Sequence, residues 1–272
     1  HNTDLKLDLS WFNSELAVLN QRTYCLNHYK ISSQIATESD ILKFTKYHWP
    51  LLLRVFYKKY ESKKRYFRRQ IFKEKHIYYD DNYFQTNSSV LIDGYWQSEK
   101  YFNNISDIIL KEFQIKYPIG SKNKHLVQKI LETVSIGVHL RIGDYYTNKN
   151  TNALHGILSR MYYKKCLDYV STYLDKPIFF IFSDDPEYAK NYLGNIATKE
   201  NIIYSKCGKN YEDLTLMSLC KHQIIANSTF SWWAAWLNKN PDKIVVAPKQ
   251  WYANKDFNNQ TGDLVPNNWK RL

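Results

Sequence analysis

Helical patterns and short apolar runs alternate regularly through the second half of the chain, from about residue 125. The helical patterns are HLVQKILETV, SRMYYKKCLDYVSTYL, DPEYAKNYL, EDLTLMSLCKH and STFSWWAAWLN. The apolar runs between them are SIGVHLR, PIFFIFS, NIIYS, QIIAN and KIVVAP. Apolar strands that alternate with helices are typical of a parallel sheet covered on both faces. This half therefore predicts an α/β domain.

The first half is less regular. It opens on the strand-like alternation LKLDLSWF, and a long helical pattern follows that Pro50 should end or kink near Trp49. The segment KYPIGSKNKH contains Pro118 and Gly120 and few apolar residues, as a linker does. We therefore predict two domains, residues 1–120 and 121–272.

Composition and charge narrow the class of protein. The chain has 38 Lys and Arg against 26 Asp and Glu, a formal charge of +12, which favours phosphates, polyanions or an anionic membrane face without choosing among them. The four cysteines form no Cys-x-x-Cys pair, which favours reduced thiols in a cytosolic protein. No signal peptide or run of about 20 apolar residues is visible. Because the chain begins at His1, we expect its native start upstream.

Unusual polar residues follow the strand SIGVHL. His139 and Arg141 alternate onto one face, and Asp144 lies just past the turn. Ligands of such sheets bind outside the carboxyl ends of the strands, and a guanidinium can grip a phosphate with its planar fork. An Arg–Asp ion pair that closes the strand edge explains the pattern equally well.

A second strand runs into Asp184 and Asp185. Asp185 precedes Pro186, as a helix N-cap followed by proline at the first helical position does. Adjacent acids also resemble the metal-binding Asp-x-Asp of some glycosyltransferases, but the spacing differs and no further acid or histidine lies nearby. We therefore predict no metal site. Asp184 can instead accept hydrogen bonds from a ligand or a neighbouring loop.

A third strand leads into a hydroxyl-rich loop that opens a helix. The loop consists of Asn227, Ser228, Thr229, Phe230 and Ser231. Free backbone N–H groups and the helix dipole favour a phosphate there, although capping by one hydroxyl is the simpler explanation. Asp213 opens the preceding helix, where it caps the helix or accepts donors from a nucleobase. With Arg141 and Asp184, these groups suit a nucleoside diphosphate. Neither Gly-x-Gly-x-x-Gly nor a Walker lysine loop is present, which disfavours dinucleotide oxidoreductases and P-loop kinases.

Three ordered segments resemble the signatures of the α-1,2-fucosyltransferases, glycosyltransferase family 11. VHLRIGDYY is similar to the His-x-Arg-Arg-Gly-Asp-Tyr signature, and IFSDD and DLTLMSLCKHQIIANSTFSWWAAWL are similar to the other two. DGYWQSEKYF is similar to the segment before the family's interdomain linker. Two departures stand out. Ile142 replaces the second arginine, and the Gly-Gly-Leu-Gly-Asn-Gln loop is absent, which we expect upstream of His1.

The resemblance implies a GT-B-like fold of two Rossmann-type halves, with the acceptor side in 1–120 and the donor site in 121–272. It implies inverting transfer of L-fucose from GDP-fucose to the 2-hydroxyl of a galactose-type acceptor in a surface glycan, without metal or cofactor. Arg141 would hold the phosphates, and His139 and Asp213 would meet the guanine. The loop 228–231 would cradle the β-phosphate, beside Asn227 and Asp184.

Inverting transfer needs stabilisation of the departing diphosphate and can use a general base. We expect Asp144 as the base, with His155 as the second candidate. Beside Arg141, these are the predicted catalytic residues. The acceptor would bind between the halves near Asp93, where Tyr95 and Trp96 can stack on a sugar ring or pack internally.

Three alternatives stay open. The chain could be a non-catalytic or differently specific sugar-nucleotide-binding protein, a reading that Ile142 supports. The charge and the run KKYESKKRYFRRQ also fit a nucleic-acid-binding protein, although no nucleic-acid motif accompanies them. The same run fits peripheral contact of a cytoplasmic protein with an anionic inner membrane better.

Overall fold

The computed structural model describes residues 4–15, 17, 23–143, 148–194, 196, 201–206 and 208–272. The chain divides into two compact units, His1–Gln114 and Ile115–Leu272. In the described part of the chain, no helix has both the length and the apolar character needed to cross a membrane.

The first unit contains short elements. Two small parallel sheets pair β1 (Lys6–Leu7) with β2 (Gln34–Ile35) and β3 (Ile71–Lys73) with β4 (Leu91–Asp93). Among its described residues, the α-helices are α1 (Glu38–Thr45), α2 (Leu51–Lys63) and α3 (Ser106–Glu112). Pro50 separates α1 from α2, as the sequence predicts, because proline has no N–H for a helix interior. The expectation of a Rossmann-type sheet in this half stays a prediction.

The second unit is built on one six-stranded, wholly parallel sheet. Its strands are β5 (Ser135–Leu140), β6 (Ile178–Ser183), β7 (Ile202–Tyr204), β8 (His222–Ile224), β9 (Val245–Ala247) and β10 (Lys270–Arg271). Its helices are α4 (Lys124–Glu132), α5 (Lys149–His155), α6 (Arg160–Tyr173), α7 (Pro186–Leu193), α8 (Asn210–Leu219), α9 (Thr229–Leu237) and α10 (Lys255–Asn258). The predicted parallel α/β architecture is confirmed for this unit.

Short 3-10 helices occur in both units. They span Ser10–Asn13, Leu26–His28, Tyr66–Arg68, Asp81–Gln85, Glu99–Tyr101, Asn103–Ile105 and Ser121–Asn123.

The strand order of the large sheet positions the site. The order is β10-β9-β8-β5-β6-β7, so the chain builds outward from β5 in one direction, then returns to the other side of β5 with β8. Every residue of β5 is buried, as in a strand covered on both faces. The topological switch point lies between β5 and β8, and α/β sheets of this kind bind ligands outside the carboxyl ends of the strands at that point.

Candidate functional site

Two tyrosines of α6 anchor the strand ends on either side of the switch point. The Tyr162 hydroxyl donates to the Ile225 carbonyl at 2.7 Å, and the Tyr163 hydroxyl donates to the His139 carbonyl at 3.2 Å. Both side chains are buried, and desolvation raises the pKa of each phenol well above its usual range. They stay neutral donors at any physiological pH, so one helix holds both strand ends in place. The sequence alone does not identify these two tyrosines as part of the site, because their spacing is that of ordinary helix core residues.

Arg141 and Asp184 come together at the carboxyl ends of β5 and β6. The Arg141 Nη1 atom lies 3.0 Å from Asp184 Oδ2, and Asp184 Oδ1 accepts from the Ile142 backbone N–H at 3.1 Å. A Cβ atom at Gly143 would overlap Asp184 Oδ2, so glycine allows the carboxylate to lie against the backbone. The arginine and aspartate side chains are 20% and 26% exposed, which leaves the guanidinium within reach of a ligand.

Ile142 occupies a core position. Its side chain is 3% exposed and belongs to the hydrophobic cluster that includes Ile136 and Tyr163. Successive side chains of an extended chain point to opposite faces. The side chain at position 142 therefore packs in the core, while that of Arg141 lies on the other face and pairs with Asp184. Isoleucine therefore suits this position, and the site keeps its arginine at 141.

The Nδ1 atom of His139 is a buried polar atom without a hydrogen-bond partner among the described residues. The residue is 3% exposed, and its ring lies 5.0 Å from the Phe230 ring. Burial, and then the nearby Arg141 charge, lower its pKa from 6.5 to about 3. A buried and unsatisfied polar atom is uncommon in a folded protein, so this nitrogen is a candidate ligand contact.

The lowered pKa of His139 predicts a pH dependence of folding. The unfolded imidazole takes up a proton near pH 6.5 and the folded one only near pH 3, so stability should fall as the pH is lowered through that interval. Urea unfolding should show that the free energy of unfolding falls less steeply with decreasing pH in His139→Gln than in the wild type. His125→Gln, at an exposed histidine, should keep the wild-type slope; equal slopes in all three proteins would contradict the assignment.

The loop 227–231 brings a helix start without a side-chain cap to the same end of the sheet. Ser228 precedes α9, yet its side chain makes no capping hydrogen bond. The Ser231 hydroxyl is buried and directed at the carbonyls of Ser228 and Ala226, at 3.2 and 3.4 Å. Capping by Ser228 therefore does not explain this loop. The first N–H groups of a helix have no intrahelical acceptor, and Phe230 in the first turn lies against His139, so they adjoin the unpartnered imidazole.

Asn227 holds the base of this loop. Its side-chain amide donates to the carbonyls of His155, Gly156 and Trp251 at 2.9, 3.2 and 3.2 Å, and the residue is 2% exposed. His155 ends α5, and its half-buried ring lies 5.2 Å from the Tyr252 ring. The amide thus ties the end of α5 to the start of α9. That Asn227 also meets the donor stays a prediction.

Asp213 lies in the first turn of α8. The Ser205 hydroxyl donates to its Oδ1 atom at 2.6 Å. Desolvation raises the pKa of this carboxyl, and Glu212 adds to the rise, while the Ser205 hydrogen bond opposes it. Glu212 itself is 3% exposed and accepts hydrogen bonds from Asn123 and Lys209 at 2.8 and 3.1 Å. It anchors the segment before α4 to α8, a role that the pair of adjacent acids did not reveal in the sequence.

The predicted acceptor residues lie in the first unit. Tyr95 is 85% exposed, whereas Trp96 packs in an aromatic cluster with Phe72 at a ring distance of 5.1 Å. Trp96 has a φ of 52°, a conformation that non-glycine residues rarely adopt. The Glu74 carboxylate holds this turn by accepting the N–H groups of residues 95 and 96 at 2.7 and 3.0 Å. The turn therefore presents Tyr95 outward.

The remaining predicted residues have separate places. Asp93 pairs with Lys73 at 2.8 Å on the surface. Asp185 caps α7 by accepting the Tyr188 N–H at 2.9 Å, as predicted. Asp144 lies outside the described residues. Within the described ranges, no three His, Cys, Asp or Glu side chains are arranged to hold a metal ion.

Comparison with known proteins gives the family. The model of glycosyl transferase family 11 matches residues 14–272. The O-antigen biosynthesis glycosyltransferase WbnK of Escherichia coli is 31% identical over 258 residues, which are 93% of this chain and 83% of that protein. An alpha-1,2-colitosyltransferase of Escherichia coli is 36% identical over 185 residues, 68% of this chain and 63% of that protein.

A more distant relative is named as an alpha-(1,2)-fucosyltransferase. The galactoside alpha-(1,2)-fucosyltransferase 2 of Bos taurus is 25% identical over 157 residues, 54% of this chain and 45% of that protein. The family match covers both units of the structure, and it includes Arg141, Asp184 and the loop 227–231. The chain therefore belongs to glycosyl transferase family 11.

Proposed function

We propose that this family 11 glycosyltransferase moves L-fucose from GDP-fucose to the 2-hydroxyl of a galactose-type acceptor in a surface glycan. One observation carries the proposal: a partly exposed Arg141, a helix start without a side-chain cap, and a His139 Nδ1 atom with no hydrogen-bond partner among the described residues all adjoin the switch point between β5 and β8. A cation and free backbone N–H groups at one crevice suit the pyrophosphate of a nucleotide sugar. The GT-B arrangement of the two halves, and transfer without a metal, stay predictions of the family resemblance.

Stabilisation of the departing GDP is the main chemical task. As the bond from the anomeric carbon to the β-phosphate oxygen breaks, negative charge grows on the diphosphate. Arg141 and the N–H groups of residues 229–231 are held in place before the reaction, so they can stabilise this negative charge without reorganising. The acceptor hydroxyl attacks from the opposite face of the sugar, which inverts the anomeric configuration.

The general base is assigned to Asp144, with His155 as the alternative. Asp144 follows Arg141 closely in sequence, and His155 ends the helix that Asn227 ties to the loop. Asp144→Asn should lower transfer and remove the acidic limb of the pH–rate profile. If its profile and rate match the wild type, the base is elsewhere, and the same pair of measurements on His155→Gln decides the alternative.

Asp213 is assigned to the guanine. A carboxylate oxygen can accept from the N1–H and the 2-amino group of guanine, and inosine lacks that amino group. We expect the wild type to bind GDP more tightly than inosine diphosphate, and Asp213→Asn to reduce this preference by about tenfold or more, the effect of one charge-assisted hydrogen bond. Calorimetric titration of both nucleotides measures it. An unchanged preference would remove Asp213 from base recognition, while Asp242→Asn, at an exposed acid, serves as the control.

Transfer itself is tested by GDP release from GDP-fucose with and without lactose or N-acetyllactosamine. If the proposed function is correct, release depends on the acceptor. In the product, fucose is linked to the galactose 2-hydroxyl, and its anomeric configuration is the inverse of that in the donor. Binding of the nucleotide sugar without release under any acceptor would instead favour the non-catalytic binding protein. Preferential binding of duplex DNA would favour the nucleic-acid reading.

A second donor sugar has specific support. The alpha-1,2-colitosyltransferase is 36% identical to this chain, and colitose differs from fucose by the loss of one ring hydroxyl. The same assay with GDP-colitose compares the two donors. A pocket that hydrogen-bonds this hydroxyl rejects the deoxy sugar strongly, whereas an apolar pocket does not, so the ratio of kcat/KM values assigns the donor.

A further inference from the structure

Helix α2 exposes apolar side chains on its first two turns. They are 53% to 74% exposed and comprise Leu51, Leu52, Leu53, Val55 and Phe56. We call these five residues the apolar tip. Single exposed apolar residues are ordinary, whereas a contiguous group marks a surface that binds something.

The later turns of α2 already pack on their own unit. Glu61 is 9% exposed, and its carboxylate accepts the Gln70 N–H at 2.9 Å and pairs with Lys64. The Tyr57 hydroxyl donates to the side chain of Gln70. Residues 57 and 61 are one helical turn apart and share a face. The helix is thus anchored without the apolar tip, which leaves the tip available for another surface.

A cationic surface adjoins the apolar tip. Residues 51–69 contain eight Lys and Arg and a single acid, the buried Glu61. The exposed members of this set are Lys58, Lys59, Lys63, Arg65 and Arg68. We call these five residues the basic flank. The chain therefore passes from an exposed apolar group directly to an exposed cationic group without an intervening negative charge.

We infer that the apolar tip and the basic flank bind the surface of an anionic phospholipid bilayer. Apolar side chains enter the boundary between headgroups and acyl chains, and lysine and arginine contact the anionic headgroups. A second copy of the chain fits less well, because a two-fold dimer through this patch would bring two basic flanks together. Nucleic acid fits less well because phosphates bind the cations but leave the apolar tip in water.

The experiment is co-sedimentation of the full chain with phosphatidylcholine vesicles that contain about a quarter phosphatidylglycerol, against pure phosphatidylcholine. We expect the wild type to bind the anionic vesicles, and Leu52→Asp to bind them with an affinity lower by about tenfold or more. The double change Lys58→Glu and Lys59→Glu should weaken binding by about fivefold or more per residue. The matched controls are Leu131→Asp, at a leucine that is 56% exposed in the second unit, and Lys239→Glu, at an exposed lysine there. Both controls should bind as the wild type does.

Three kinds of result would overturn the inference. The first is equal weakening by the test and control variants, or no binding of the wild type to either vesicle. The second is a dimer in sedimentation velocity that Leu52→Asp dissociates, which assigns the patch to a second copy. The third is tighter binding to duplex DNA than to vesicles. Transfer to a soluble acceptor should be unaffected by Leu52→Asp, so failure of this inference is distinct from failure of the proposed function.

Discussion

Replacing Arg141 by alanine should lower the turnover of sugar transfer by about a hundredfold or more. The guanidinium can hold the diphosphate with two charge-assisted hydrogen bonds, each worth about 1.5–3 kcal/mol. Since about 1.4 kcal/mol of transition-state stabilisation corresponds to a factor of ten in rate, their loss slows the reaction by two decades or more. Arg141→Lys keeps the charge but loses the planar fork, so we expect an intermediate rate.

The rival explanation is that Arg141 serves only its ion pair with Asp184. Asp184→Asn removes the charge of that pair but keeps an oxygen that can accept the Ile142 N–H. If the phosphate role is correct, Arg141→Ala loses much more GDP affinity than Asp184→Asn. Equal losses in the two variants, or near-normal turnover of Arg141→Ala, would confine the arginine to a structural pair. Arg160→Ala, at an exposed arginine that begins α6, is the matched control.

Replacing Asn227 by alanine should lower the free energy of unfolding by about 2–4 kcal/mol. The change strips three carbonyls of their donor in a site where Asn227 is 2% exposed, and a buried polar group left unsatisfied costs about 1–3 kcal/mol. Asn227→Asp should be at least as harmful, because a carboxylate has no N–H to donate and meets carbonyl oxygens instead.

Urea unfolding with a matched control measures this loss. Asn259→Ala replaces an exposed asparagine and should change the unfolding free energy by less than about 0.5 kcal/mol. The Asn227 variants should also bind GDP more weakly, because the start of α9 loses its tie to α5. A loss below about 1 kcal/mol for Asn227→Ala would show that these hydrogen bonds are dispensable.

The architecture of the second unit follows from its apolar pattern, whereas its weakest elements do not. The strands β5 and β6 are mostly apolar and mostly buried runs, so both their identity and their parallel pairing are predictable. The edge strand β10 consists of Lys270 and Arg271, whose polarity hides it. It is defined by pairing with β9, a contact between distant residues that no local pattern encodes.

The site shows the same division. That Arg141 lies at a strand end is readable from the sequence, but its partner is not. Asp144 is nearer in the chain, and only the register of β5 with β6, with Leu140 opposite Ser183, brings Asp184 beside it. The contact between His139 and Phe230 likewise depends on the return of the chain to the other side of β5. The chemical groups of the site are visible in the sequence, and the sheet topology decides which of them meet.

The central claim is that the crevice between β5 and β8 binds guanosine diphosphate. A thermal-shift comparison of GDP with ADP, UDP and CMP on the wild type and Arg141→Ala tests it directly, because a ligand of the folded state raises Tm by mass action. We expect GDP to raise the wild-type Tm more than the other nucleotides do, and Arg141→Ala to lose most of that rise. Equal shifts with all four nucleotides, or a GDP shift unchanged by Arg141→Ala, would contradict it.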